Sequence, residues 1–121
     1  MPRTHKVLLV EDDSALNDAF GIILLKSGYD VRAVFNGQEA LDVMSDFTPD
    51  VILLDLLMPI MDGKEFLRRL GKNSPIPIIV FSNLDSKSDV EEVLGLGASR
   101  FMLKAWATPN ELVNVIQNTL Q

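Results

Sequence analysis

Residues 50–55 read Asp50-Val51-Ile52-Leu53-Leu54-Asp55, four consecutive apolar side chains with a carboxylate at each end. A strand with one wet face alternates apolar and polar residues, whereas a strand covered on both faces is apolar throughout. Val51 to Leu54 is therefore read as a central strand of a parallel sheet. Working outward, Lys6 to Val10 and Ile76 to Phe81 have the same character. Asp30 to Val34 and Arg100 to Leu103 complete the set of strand-length runs, and Arg32 marks the second as an edge.

Between these runs the apolar residues recur at helical spacing. The faces are Leu16, Ala19, Phe20 and Ile23; Ala40, Leu41 and Met44; Phe66, Leu67 and Leu70; Val90, Val93 and Leu94; and Leu112, Val113, Ile116 and Leu120. Asn36 with Glu39, Ser86 with Asp89, and Thr108 with Glu111 each place a capping side chain three residues before an acid, and Pro109 falls at a first helical position. Gly28, Gly71 and Gly97 stand where helices should stop. Strand and helix alternate throughout, which predicts an α/β fold: a doubly wound five-stranded parallel sheet with helices on both faces. Right-handed crossovers make the flavodoxin-like order 2-1-3-4-5 the simplest arrangement.

The chain has 121 residues, 47% hydrophobic and 23% charged, the composition of one soluble globular domain. A domain of this length buries roughly two-thirds of its unfolded surface and needs no metal or disulfide to hold a core. One domain over residues 1–121 is expected, since no repeat or linker interrupts the pattern and it ends in a helical segment. With no cysteine, disulfides, zinc–thiolate sites and thiol catalysis are excluded. No apolar run approaches the ~20 residues of a membrane helix. The Val7 to Val10 run ends at once in Glu11, Asp12 and Asp13, unlike a signal peptide, so a cytoplasmic protein is expected. Eleven basic residues against seventeen acidic ones give a net charge of −6. The positive field that nucleic acid or an anionic membrane requires is lacking, and no direct contact with either is expected.

In an open parallel sheet, ligands bind beyond the carboxyl ends of the strands, where strand order reverses. The residues there are Glu11, Asp12 and Asp13 after the first strand, Asp55 after the third, Ser82 and Asn83 after the fourth, and Lys104 after the fifth. Taken singly, these are ordinary capping, turn or solvated residues. Taken together they fall on one edge of one sheet, with Asp12 and Asp55 facing each other across a crevice. Two unit charges ~4 Å apart repel by ~4 kcal/mol at an effective dielectric near ~20. A bound cation relieves that repulsion. The ligands on offer are oxygens and the sole histidine, His5, lies before the first strand, so the donor set fits a hard divalent ion, Mg²⁺. Mg²⁺ sites are commonly completed by phosphate oxygens, which points to a phosphoryl group. Asp55, ionised at neutral pH with an ordinary carboxylate pKa, can attack phosphorus without a general base. Lys104 and Ser82 would then neutralise and hydrogen-bond the phosphoryl oxygens.

At these residues the sequence resembles the receiver domain of two-component response regulators, over Lys6 to about Leu120. The matching pieces are Val7-Leu8-Leu9-Val10-Glu11-Asp12, Asp50 to Pro59 with Asp62-Gly63, Ile76 to Ser82, and Gly97 to Lys104. The resemblance implies a phosphorylation-dependent switch in which Asp55 accepts a phosphoryl group from a histidine kinase or phosphotransfer protein. It also implies that Asp12 ligates Mg²⁺ directly, Glu11 through water, and the Leu57 backbone carbonyl beside Asp55 completes the protein ligands. Ser82 matches the switch hydroxyl, Phe101 the switch aromatic and Lys104 the phosphate-binding lysine. The surface of the fourth helix, fifth strand and fifth helix would change to control an output partner, with homodimer formation on phosphorylation one possible consequence. Without the family, Phe101 reads equally well as a core residue.

Several positions depart from the family pattern. Ala105 stands where proline commonly follows the lysine, so Lys104–Ala105 is either cis or trans with a shifted loop; the reach of Lys104 is expected to survive. Leu57 and Leu84, at positions that influence dephosphorylation in the family, are apolar and cannot orient an attacking water, which predicts a long-lived aspartyl phosphate. Asn83 replaces a smaller residue beside the switch hydroxyl. Trp106 either anchors a partner helix or covers the loop. Two other readings are an interaction module that signals without phosphorylation, which Ala105 makes conceivable, and an aspartate-nucleophile phosphatase. The latter lacks a second acid two residues after Asp55, so a phosphoacceptor switch is expected rather than a turnover enzyme.

Overall fold

The computed structural model describes residues 4–84 and 86–121 of the chain. In chain order the elements are β1 (Lys6–Val10), α1 (Ser14–Lys26), β2 (Asp30–Val34), α2 (Gly37–Val43), β3 (Val51–Leu54), α3 (Gly63–Leu70), β4 (Ile78–Ser82), α4 (Lys87–Gly95), β5 (Arg100–Leu103), a 3₁₀ turn (Lys104–Trp106) and α5 (Pro109–Leu120). All strand pairs are parallel and the sheet order is β2-β1-β3-β4-β5. The expected topology is the observed one.

Alternation along the strands divides the core in two. Leu8, Val10, Ile52, Leu54, Ile78 and Val80 point to the side covered by α2, α3 and α4, where they meet Ala40, Phe66, Leu67 and Val93. Val7, Leu9, Val51, Leu53, Ile79 and Phe81 point to the other side and meet Phe20, Leu24, Leu112 and Ile116 of α1 and α5. Each such side chain stabilises the fold by roughly 1.5–3 kcal/mol relative to exposure. Phe20 and Phe81 also pack edge to face, with centroids 5.8 Å apart.

The predicted caps form. Asn36, Ser86 and Thr108 accept from the N–H groups of Glu39, Asp89 and Glu111, and Gly28, Gly71 and Gly97 lie at the predicted stops with φ of 96°, 84° and 115°. Some expectations need correction. The fourth strand runs from Ile78 to Ser82 rather than from Ile76 to Phe81. Pro77 has no N–H to give and joins the sheet only through its carbonyl, which accepts from Ile52 at 3.0 Å. Ser82 is thus the last residue of β4, not the first beyond it. On α1, Ala19 faces solvent and Leu24 takes its place in the core; on α4, Leu94 is exposed, while Val93 is buried as expected. Among the described residues no helix is long and apolar enough to cross a membrane.

Candidate functional site

Val10 and Leu54 are register partners at the carboxyl ends of β1 and β3. The next residue on each strand therefore leaves the sheet side by side with its counterpart, and the Asp55 N–H donates to the Val10 carbonyl at 3.0 Å. One carboxylate oxygen each from Glu11, Asp12 and Asp55 lie within 4.8 Å of one another. The crevice inferred from strand order thus gathers the three acids. Glu11 and Asp55 are buried and Asp12 is exposed at the mouth.

Glu11 is held at almost every polar atom. Its N–H donates to Val34 O at 3.1 Å, and its carboxylate Oε2 accepts from the Asp13 N–H at 2.9 Å. Asp13 in turn caps α1 by accepting from Leu16 N–H at 3.1 Å. The remaining oxygen, Oε1, is buried and pairs with the Lys104 ammonium 2.7 Å away. Burial raises the Glu11 carboxyl to about 7, the Asp13 N–H and Lys104 oppose that rise, and the charge of Asp55 adds to it.

Lys104 crosses from the end of β5 to the same point and donates to Asp55 Oδ2 at 3.2 Å. The described chain contains no cis peptide bond. Lys104–Ala105 is therefore trans, the chain after it forms the 3₁₀ turn Lys104–Trp106, and the lysine still reaches the acids. Burial pushes the Asp55 carboxyl above its ordinary value, with Lys104 pulling the other way. The expectation of an ordinary pKa there is corrected: the apolar surroundings of the strand end disfavour its charge. For Lys104, burial disfavours the ammonium, but its contacts with Glu11 and Asp55 outweigh that and the net shift is upward.

Ser82 is fully buried, and its Oγ accepts from the Leu84 N–H at 3.1 Å, leaving the hydroxyl proton free to donate. Asn83 and Ala105 are exposed, and Leu84 is partly buried against the α4 side of the core. Phe101, the register partner of Val80, is also partly buried there, so it is a packing residue in this conformation. The side chain of Trp106 lies outside what the structure describes. Leu57 is 59% exposed on the loop after Asp55, and Ile60 on the same loop is 84% exposed. Ile60 carries φ 69°, the centre of a tight turn closed by Met61 N–H to Pro59 O at 2.7 Å.

Three residues at or near the site were not singled out from the sequence for the roles they play. Asp62 caps α3 by accepting from Glu65 N–H. Gly63 sits so close to the site that a Cβ there would stand 2.5 Å from Asp55 O and 2.9 Å from Leu56 Cα. Asn17 is buried on α1, with its amide donating to Glu11 O and Val34 O. Its signal was present, since residues 17, 20 and 24 form one helical stripe and only the first of them is polar.

The chain is similar to known proteins in sequence and in fold. The sequence model described as the response regulator receiver domain matches residues 7–117. The receiver domain protein (CheY-like) of Methanospirillum hungatei superposes with TM-score 0.90 at 27% identity, covering 98% of this chain and 94% of that one. A Francisella response regulator receiver domain gives 0.89 at 30% identity, with 97% of each chain covered. The signal receiver domain of a histidine kinase from Syntrophus aciditrophicus gives 0.85 at 34% identity, covering 97% and 90%.

Proposed function

The chain belongs to the response regulator receiver domain family, and from that premise we propose that it is a phosphorylation-dependent signalling switch with Asp55 as phosphoacceptor. The observation that carries this reading is the convergence of Glu11, Asp12 and Asp55 to within 4.8 Å, with the Lys104 ammonium 3.2 Å from Asp55.

The donor set fits a divalent cation. Three carboxylates face one ammonium, which leaves the cluster with more carboxylates than Lys104 alone can neutralise. Glu11, Asp12 and Asp55, with the backbone carbonyl of Leu57, would hold Mg²⁺. Bound there, the ion would supply charge neutralisation to phosphoryl oxygens. The chain's own residues do the rest. Asp55 forms an acyl–phosphate bond through one carboxylate oxygen as the P–N bond to the donor imidazole breaks, and that imidazole departs with the bonding pair and takes a proton. Lys104, released from its contact with Asp55, pairs with the new phosphoryl oxygens, and Ser82 donates its hydroxyl proton to another. Phosphorylation would shift the α4, β5 and α5 surface toward a second arrangement that an output partner reads. The partners are a histidine kinase or phosphotransfer protein and that output partner.

The position of Lys104 supports this reading over an interaction module that never takes phosphate, and Leu57 offers no acid for phosphatase turnover. Phosphotransfer profiling against a panel of radiolabelled histidine kinases tests it. One kinase should transfer label to the wild-type chain, up to one phosphoryl group per chain, and none should label Asp55→Asn. Transfer to Asp55→Asn, or no transfer from any kinase or small phosphodonor, overturns it.

A further inference from the structure

We infer that Asn17 is a positioning residue for the acidic pair, its amide fixing the peptide that joins Glu11 to Asp12. The inference deepens the reading of the site given above and rests on it.

Asn17 is 3% exposed, in the first half of α1, where its neighbours along the stripe, Phe20 and Leu24, are core residues. A buried polar side chain must find partners, because an unpaired one costs about 1–3 kcal/mol. Here one nitrogen serves two carbonyls. Nδ2 donates to Glu11 O at 3.0 Å and to Val34 O at 3.0 Å. The second carbonyl closes β2 beside Val10, its register partner, and also accepts the Glu11 N–H at 3.1 Å. Asn17 N–H donates to Asp13 O at 2.8 Å, which closes the segment from Glu11 to Asn17 on itself. A primary amide has two donor protons for these two acceptors. Aspartate would turn lone pairs toward both carbonyls, and leucine would leave both unsatisfied.

The consequence reaches the acids directly. The Glu11 carbonyl and the Asp12 N–H belong to one planar peptide unit. Gripping that oxygen sets the orientation of the unit from which both acidic side chains project. The N–H, carbonyl and Oε2 of Glu11 are all engaged in hydrogen bonds, and Oε1 pairs with the Lys104 ammonium at 2.7 Å. Asn17 thus fixes the backbone from which the pair projects, with Glu11 Oε1 turned toward the crevice that Lys104 and Asp55 share.

The test compares Asn17→Leu, which keeps approximate volume without donors, with Leu24→Ala, a core truncation on the same helix that touches neither acid. Two readouts are taken: the Mg²⁺ dissociation constant by calorimetry, and hydrogen exchange of the Glu11 and Asp12 amides in EDTA. Asn17→Leu should raise the Mg²⁺ constant by about tenfold or more, while Leu24→Ala stays within about twofold despite an equal or larger fall in Tm. Exchange at Glu11 should accelerate in Asn17→Leu before any metal is added. If Asn17→Leu does not fold, Asn17→Ser, which keeps one donor, carries the same expectation at a rise of about threefold. Equal Mg²⁺ binding by wild type and the Asn17 variant, or an equal loss in Leu24→Ala, overturns the inference alone. A wild-type chain that takes up no Mg²⁺ overturns the functional reading as well.

Discussion

Lys104 Nζ lies 3.2 Å from Asp55 Oδ2, although Lys104 is followed by Ala105 through a trans peptide. The ammonium also lies 2.7 Å from Glu11 Oε1, so one cation serves two buried carboxylates. Removing one partner from such a group leaves uncompensated charge, or forces the acids to take up protons. Lys104→Ala should therefore lose about 1–3 kcal/mol of stability at pH 7.5 in EDTA. Mg²⁺ should restore much of that loss by replacing the missing charge. Phosphoryl incorporation from a small phosphodonor should slow roughly 10–100-fold. Urea unfolding with and without Mg²⁺, and labelling rates, check the three expectations.

Glu11 gives the fold a pH dependence of unusual sign for a carboxylate. Its carboxyl is pushed by burial from 4.5 to about 7 in the folded chain. Between those values the folded state holds a proton that the unfolded chain has released. Stability in a divalent-free buffer should consequently fall as pH rises through this window, and level off above it as far as this group is concerned. Glu11→Gln should remove the part of that slope due to Glu11, leaving the part due to the raised Asp55 carboxyl, and be more stable than wild type at pH 8 in EDTA, by up to about 3 kcal/mol. Because Mg²⁺ requires the ionised form, its affinity should rise over the same window in the wild type. Denaturant titrations at several pH values measure the first effect and calorimetry the second.

Gly63 is constrained by close approach to backbone. A Cβ there would meet Asp55 O at 2.5 Å and Leu56 Cα at 2.9 Å, and Gly63 N–H donates to Leu56 O at 2.9 Å. Neither backbone atom belongs to a flexible side chain that could yield. Gly63→Ala should destabilise by about 1–3 kcal/mol. It should also slow phosphoryl incorporation, because relief of the clash displaces the Asp55 peptide. Equal stability of variant and wild type in urea would show that the loop can move away.

The α3–α4 contact is electrostatic at its outer edge. Lys64 pairs with Asp89 at 2.9 Å and Glu92 at 2.8 Å, and Arg68 with Glu92 at 3.2 Å. Partly exposed pairs of this kind are individually weak and screened by salt. Lys64→Met is expected to cost about 1 kcal/mol or less at low ionic strength. The difference from wild type should vanish in ~1 M salt, where the Debye length falls to about 3 Å. Thermal melts at two salt concentrations decide it.

Leu57 and Leu84 bear on the lifetime of the product. The first is an exposed apolar side chain two residues after Asp55, and the second is partly buried with its N–H on Ser82 Oγ. Neither carries a group that could orient water for attack on an acyl phosphate. The aspartyl phosphate should persist well beyond seconds in Mg²⁺ buffer, and Leu57→Asn should shorten its life. A half-life of seconds in the wild type would contradict this.

The fold was legible because its strands are short and uniformly apolar and its helices announce their ends. Asn36, Ser86 and Thr108 cap as their spacing requires, and Val51 to Leu54 is buried on both faces. The strand ends named the site by position, since sheet order places Asp12 and Asp55 at one crevice. What periodicity blurs is the edge of a face: Ala19 and Leu94 fit a helical stripe by spacing yet face solvent, while Val93 of the same stripe is buried and Leu24, outside the expected face, joins the core. The start of β4 was hidden by the apolar Ile76, where Pro77 interrupts donation to the ladder. Close approach is a property of packing between distant segments, which is why the role of Gly63 against Asp55 emerged only with coordinates. The pKa of Asp55 likewise depends on burial that its neighbours in sequence do not reveal.

The most direct test is the intact mass of the chain after treatment with a small-molecule phosphodonor and Mg²⁺, with the modified residue located by proteolytic mapping. The account predicts a gain of one phosphoryl group on Asp55, its absence from Asp55→Asn, and its suppression by EDTA. An unmodified wild-type chain, a phosphoryl group on another residue, or continuous consumption of the donor without accumulation on the chain would contradict it.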